Sequence, residues 1–185
     1  MKGKTMVIDK IRKVNVTENS VNSKASDMMV GKWIKCDNCK EILYKDDVKN
    51  NLSVCPNCGK HFRLSARRRI EQVIDKDTFI EIDENLHTTN PIKFEGYIQK
   101  IDLLEEKTKI KEAIKIGTGK IHNIDVAIGV MDGNFLMGSM GEVVGEKIVH
   151  LVDLAIEKRL PVIIFCVSGG ARMQEGMISL MQMAK

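Results

Sequence analysis

Four cysteines are the first residues whose types and spacing could do chemistry. In "KCDNCKEILYKDDVKNNLSVCPNCGK", Cys36 and Cys39 stand two residues apart, and after a 15-residue spacer Cys55 and Cys58 repeat the arrangement. Each C-x-x-C knuckle aims two thiolates at one point, and two knuckles on neighbouring hairpins complete a tetrahedral shell of four sulfurs. Pro56 and Gly59 suit the tight turns this requires. A four-thiolate iron–sulfur cluster and a redox pair are the alternatives; the spacing within a short basic segment favours zinc. Four sulfurs leave no open coordination position, so the metal is structural, holding a segment too small to own a core.

Two glycine corners are the second feature. "GSMGEVVG" begins at Gly138 and "SGGARMQEG" at Ser168, each where an apolar strand-like run gives way to a helical pattern. Such corners let a ligand approach the backbone closely and present N–H groups that suit an oxyanion or a phosphate. Neither fits the phosphate loop ending in Gly-Lys-Ser/Thr, nor the dinucleotide fingerprint. Ser168 lies outside a G-x-S-x-G elbow and no histidine is placed to activate it. His61, His87, His122 and His150 read as surface or core residues without acidic or cysteine partners, and Cys166 reads as a small buried core residue.

The elements that must carry these features follow from periodicity. "LSARRRIEQVID" predicts a helix capped by Ser65, "FIEI" a short strand, and "GYIQKIDLLEEKTKI" a helix burying Tyr97, Ile101 and Leu104. "AIKIGTGKIHNIDVAIGVMD" predicts two antiparallel strands joined at His122-Asn123, and "NFLMGSMG" a third short strand. A helix is expected from Glu142 to Lys158 with Val144, Ile148, Leu151, Val152 and Ala155 on one stripe, then a buried strand "PVIIFCV" and a helix over 172–185. Strand, strand, corner, helix, strand, corner, helix is an α/β pattern. Residues 1–30 are polar and read as a disordered segment, residues 31–62 as the zinc ribbon, and 63–185 as the start of a larger domain.

Composition narrows the classes. The 185 residues are 43% hydrophobic but only 4% aromatic, so core volume comes from aliphatic residues and eleven Met. No apolar run approaches the roughly 20 residues of a membrane span, and no secretory signal opens the chain, so a cytoplasmic protein without membrane contact is expected. The net charge of +4 is uneven: residues 31–70 hold ten Lys/Arg against four Asp/Glu, and 71–185 hold thirteen against eighteen. The basic unit suits a polyanion or an acidic partner. Trp33, Lys35, Tyr44 and Lys45 form either a stacking and phosphate surface for nucleic acid or a face that packs on another subunit, and "ARRR" at 66–69 adds charge.

Taken together, the cysteine quartet, "MGSMGEVVGEK" and "SGGARMQEGMISLMQMAK", in this order, closely resemble the beta-subunit family of bacterial acetyl-CoA carboxylase carboxyltransferases over roughly residues 30–185. The resemblance implies a zinc ribbon joined to a crotonase-like domain of strand-strand-helix units, here incomplete. It implies assembly with an alpha subunit into two alpha and two beta chains, and transfer of a carboxyl group from carboxybiotin on a biotin carboxyl carrier protein to acetyl-CoA. The product is malonyl-CoA for fatty acid biosynthesis; a separate biotin carboxylase consumes the ATP. Gly169 and Gly170 are then the candidate anion-facing catalytic backbone, and Gly138, Ser139, Met140 and Gly141 the adjoining substrate wall. Arg172 is a candidate for the CoA phosphate or an acidic partner residue, with an internal ion pair as the equal alternative. Cousins acting on propionyl-CoA generally lack the ribbon, so its presence favours acetyl-CoA. In the family the chain continues through further units that include a second diglycine turn, so this chain is expected to be its N-terminal part and inactive alone. A zinc-ribbon nucleic-acid-binding module is the rival reading.

Overall fold

The computed structural model describes residues 31–185, so the expectation for residues 1–30 lies outside the described residues. In the ribbon, strands β1 (Trp33–Lys35) and β2 (Ile42–Tyr44) pair antiparallel and helix α1 (Lys45–Asn50) follows. Its buried cluster is small: Cys36, Leu43, Val48 and Cys55, flanked by Ile34, Cys39 and Phe62. Too little apolar area is present to hold this unit, so the sulfurs must contribute through a metal.

Helix α2 (Ala66–Val73) starts where Ser65 accepts a hydrogen bond from the Arg68 N–H, at 3.4 Å. Its first N–H, on Ala66, donates to Asp132 Oδ2 at 2.8 Å, which ties the helix to the end of a distant strand. Strand β3 (Ile80–Ile82) and helix α3 (Tyr97–Thr108) follow. Strands β4 (Ile114–Ile121) and β5 (Ile124–Met131) form the hairpin, Ile121 opposite Ile124. The turn needs positive φ at both central residues; His122 and Asn123 adopt +49° and +65°, and Asp75 accepts both N–H groups. Helix α4 (Glu142–Lys158), strand β6 (Val162–Phe165) and helix α5 (Met177–Ala184) complete the chain.

One four-stranded sheet runs β3-β4-β5-β6, antiparallel except for the parallel β5–β6 pair created by the α4 crossover. Alternation along β5 serves two layers. Ala127 and Met131 face a cluster with Tyr97, Ile101, Val144 and Leu151, whereas Val126, Ile128 and Val130 face Ala66, Ile70 and Ile74. The result is α/β, as the sequence predicts, with crotonase-like strand-strand-helix organisation.

Several expectations need correction. "NFLMGSMG" is not a strand: Leu136, Met137 and Gly138 have φ of +42°, +58° and +71°, and the segment makes a 3-10 turn. Only Met140 retains ladder character, in an isolated parallel bridge to Ala171. The last helix begins at Met177 rather than 172, because Gly176, at φ +53°, separates it from a 3-10 turn over Met173–Glu175. Strand β6 stops at Phe165, which leaves Cys166 exposed instead of buried. Val152 is 37% exposed, and the buried stripe of α4 runs through Val143, Val144, Lys147, Leu151 and Ala155.

Candidate functional site

The four sulfurs of Cys36, Cys39, Cys55 and Cys58 lie within 4.8 Å of one another. A tetrahedral ion with Zn–S bonds of about 2.3 Å requires sulfur–sulfur edges of roughly 3.8 Å. Cys36–Cys58 at 3.7 Å and Cys39–Cys55 at 3.8 Å match two such edges. Backbone turns set this up: Lys40 N–H donates to Cys36 O and Gly59 N–H to Cys55 O, each at 2.9 Å, closing the two knuckles. Before any ion is considered, burial pushes the Cys55 thiol up to about 11, while the Asn38 hydrogen bond brings Cys58 down to about 6. A divalent cation favours all four as thiolates. The ribbon is a structural zinc centre; His61, adjacent to it in sequence, is not needed as a ligand.

The second site is where the glycine corners meet. Met140 N–H donates to Gly170 O and Arg172 N–H to Met140 O, both at 2.9 Å, so the two segments lie side by side. Gly138 is buried, and a Cβ there would run into the carbonyl oxygen of Val167. Gly170, at φ +98°, has open space around its Cα. The outer segment Val167–Ala171 is exposed. Gly170 N–H donates to Ser168 Oγ at 3.1 Å, and among the described residues no backbone acceptor takes the Gly169 or Ala171 N–H. Two main-chain donors are therefore left without a protein acceptor at an exposed bend just beyond β6.

Beneath this bend is a buried polar cluster. Arg172, 1% exposed, forks onto Glu112: Nη1 to Oε2 at 2.9 Å and Nη2 to Oε1 at 2.5 Å. Its remaining donors reach Ser139 Oγ at 3.2 Å, Ser139 O at 2.8 Å and the Tyr97 hydroxyl at 2.9 Å. Burial opposes the charge, but the Glu112 carboxylate and Tyr97 more than offset it, so the guanidinium is held above its ordinary value. Glu175, fully buried, accepts from Tyr97 Oη at 2.6 Å, Thr88 Oγ1 at 3.2 Å and the Glu142 N–H at 2.5 Å. Burial, then the hydrogen bond to Glu175, raises the Tyr97 phenol above its ordinary range.

This geometry corrects two site expectations. All five donors of a guanidinium have protein partners here, so Arg172 is the internal ion pair and has no N–H left for a phosphate. Gly141 and the N-terminus of α4 do not face solvent: Glu175 occupies that helix end, and a Cβ at Gly141 would sit 2.5 Å from its Oε2. Gly138 and Gly141 shape the wall from inside; Ser139 and Met140 are half-buried and carry the bridge to the outer bend. Sequence reasoning missed Thr88, Tyr97, Glu112 and Glu175. A charged residue directly before the apolar run of β4, and an acid three residues after an arginine, were the available signals. His150, read as lacking an acidic partner, contacts Asp83 at 2.6 Å and Glu146 at 3.3 Å.

Comparison with known proteins places a family on each of the two units. Residues 60–185 match the carboxyl transferase domain, and residues 33–58 the acetyl-CoA carboxylase zinc finger domain. The chain is 55% identical over 155 residues to the acetyl-CoA carboxylase carboxyl transferase subunit beta of Clostridium botulinum strain Loch Maree, covering 84% of this chain and 54% of that protein. It is 56% identical over 155 residues to a subunits beta/alpha polypeptide of Natranaerobius thermophilus, covering 84% of this chain and 26% of that one. Against the Clostridium botulinum protein the chain thus spans about half the relative's length. Among solved structures, a transcarboxylase 12S crystal structure with methylmalonyl-coenzyme A and methylmalonic acid bound superposes with a TM-score of 0.55 at 27% identity, over 66% of this chain and 22% of that one.

Proposed function

From the premise that the chain belongs to the carboxyl transferase family, we propose that it supplies the beta-subunit part of an acetyl-CoA carboxylase carboxyltransferase. The reaction moves a carboxyl group from carboxybiotin, borne by a biotin carboxyl carrier protein, to the methyl carbon of acetyl-CoA and yields malonyl-CoA. The partners are an alpha subunit, in an assembly of two alpha and two beta chains, and a biotin carboxylase that reloads the carrier. The setting is cytoplasmic fatty acid biosynthesis; among the described residues no helix is long and apolar enough to cross a membrane. Residues 31–62 form the zinc ribbon and 63–185 the carboxyltransferase part.

The observation that carries this reading is the exposed bend at Ser168–Ala171 with its unengaged main-chain donors. Removing a proton from the acetyl methyl group places negative charge on the thioester oxygen. Carboxybiotin supplies the carboxyl group and leaves a ureido anion basic enough to take that proton. The protein must hold the developing oxyanion with fixed dipoles. A backbone N–H so placed contributes roughly 3–4 kcal/mol to the transition state. Of the expected pair Gly169 and Gly170, Gly169 keeps a free N–H while that of Gly170 is taken by Ser168 Oγ, so Gly169 and Ala171 supply the donors and Gly170 the left-handed turn between them; no side-chain triad is needed. The adjoining segment Gly138, Ser139, Met140 and Gly141 holds the bend from behind.

The test is malonyl-CoA formation by the beta polypeptide carrying this sequence, paired with its alpha subunit and supplied with carboxybiotin. Replacing the Gly169 amide by an ester removes a donor; at Ala171 it also weakens the Gly170 carbonyl that accepts the Met140 N–H, so a melting temperature is measured beside the rate. A fall in kcat of about 100-fold at one of the two positions is expected. Unchanged turnover at both refutes the mechanism, and preference for a longer acyl-CoA refutes the acetyl-CoA assignment.

A second reading rests on the ribbon surface. Trp33 is 49% exposed and stacks edge-on against Tyr44, ring centroids 5.4 Å apart, beside Lys32, Lys35 and Lys45. Aromatic faces flanked by cations suit single-stranded nucleic acid. Arg67 and Arg68 contribute less than their sequence suggests, since both pair with Glu71. RNA binding that weakens steeply with salt and is lost in Trp33→Ala supports this second activity; salt-insensitive binding, or none, removes it.

A further inference from the structure

The bend is open to solvent around Gly170. Nothing lies within 4 Å of where a Gly170 Cβ would be, and Val167–Ala171 is exposed throughout. It is held from behind, where a Gly169 Cβ would meet Met137 and where Met140 bonds Gly170 and Arg172, and from beneath, where the carboxylates of Glu112 and Glu175 flank the Arg172 guanidinium. We propose that Tyr97, Glu112 and Glu175 are positioning residues for the oxyanion-binding bend, acting through Arg172. This deepens the carboxyl-transfer reading and rests on it.

The bonds form a closed path between the two corners. Glu112 precedes β4 and its Oε1 accepts the Ala113 N–H at 2.6 Å, so the carboxylate is fixed to the sheet. It grips Arg172 in a two-point fork, and Arg172 grips Ser139 through both its hydroxyl and its carbonyl. Glu175 connects the same arginine, at 3.3 Å, to the first N–H of α4 at Glu142. Tyr97, from α3, touches both Arg172 and Glu175. The bend is thus referenced to the sheet, to α3 and to α4 at once.

Stability alone is a poor reason for such a cluster, because buried ion pairs are often no better than apolar residues of equal volume. Lys147, 2% exposed, has Glu112 among its electrostatic neighbours, but burial holds its ammonium below the ordinary value. What a fork gives that apolar packing does not is a fixed distance and plane. Oxyanion donors need that precision, since a misplacement of about 1 Å can cost on the order of 100-fold in rate.

The experiment uses the beta chain assembled with its alpha subunit. Variants are Glu112→Gln, which breaks the charge-assisted fork at constant shape, Tyr97→Phe, which removes one hydroxyl, and Ile101→Val as a core control on the helix that carries Tyr97. Steady-state kinetics and thermal melting are measured, together with amide resonances at Gly169, Gly170 and Ala171 labelled in the same assembly. Glu112→Gln is expected to lower kcat at least about 10-fold with the KM for acetyl-CoA within about 3-fold, and to shift the three amides. Tyr97→Phe is expected to do the same more weakly, and it decides the matter if Glu112→Gln does not fold. Ile101→Val should lower the melting temperature without the kcat effect.

Unmoved amides, kcat within about 2-fold of the parent, or a change in KM alone overturns the proposal, as does a kcat loss that the control reproduces. If the parent assembly makes no malonyl-CoA, the carboxyl-transfer reading fails, and the amide shifts still decide whether the cluster positions the bend.

Discussion

Gly138 combines φ of +71° with backbone packing so close that any Cβ would meet the Val167 carbonyl. Replacement by alanine must move one corner away from the other. Gly138→Ala is expected to cost about 2–4 kcal/mol, combining left-handed strain with the backbone shift. For a chain of this size that is on the order of 5–15 °C in melting temperature. Gly170→Ala, at φ +98° with open space around it, should lose clearly less. Equal losses would mean that the close approach of the corners is not what requires glycine. Asp75 gives a second test. The N–H groups of Asn123 and His122 hold its carboxyl below the usual range. A depressed folded value stabilises above the ordinary Asp pKa of about 3.9, and that contribution is lost as pH falls through the folded value. Melting temperatures taken from pH 7 down to 3 should fall less steeply in Asp75→Asn; parallel curves would show that the turn does not depend on that charge. Both glycines are visible in the sequence as corners. Which of them faces inward is not, because that depends on a carbonyl 29 residues further along the chain.

At the scale of elements, the ribbon's few buried side chains make its fold conditional on metal. The single tryptophan, Trp33, sits in β1 and stacks on Tyr44, so it reports on that unit alone. Chelation should change Trp33 fluorescence, and one equivalent of zinc should restore it, while far-UV dichroism loses only the small ribbon share. Unchanged fluorescence on complete metal removal would show that the ribbon is held by packing. Local elements with strong periodicity are legible in the amino-acid order alone: α4 occupies Glu142–Lys158 as expected, and the His122-Asn123 hairpin closes as expected. The segments that depart are those where backbone special to one site overrides local preference. Three successive positive-φ residues replace a strand at Leu136, and Glu175 turning inward delays the last helix.

For the whole molecule, the buried cluster joins two stretches of chain far apart in sequence, Glu112 to Arg172 across 60 residues and Tyr97 to Glu175 across 78. No window of sequence brings them together; only the crossover through α4, which sets β6 parallel to β5, does so. The same topology leaves β6 at a sheet edge, and Met173, Met177, Leu180, Met181 and Met183 in and before α5 are exposed. An unpaired edge and a flexible apolar surface each favour association between chains. The 185-residue chain by itself is therefore expected to sediment as concentration-dependent oligomers. Placing charge on the α5 face, as in Leu180→Glu with Met181→Lys, should shift it toward monomer without changing zinc content, since the ribbon cysteines lie in a separate cluster. Sedimentation velocity over a 50-fold concentration range reads this directly. A parent chain that stays monomeric throughout, or a charged variant that associates equally, would show that this face does not drive association and would move attention to the ribbon's exposed Trp33 and Ile42.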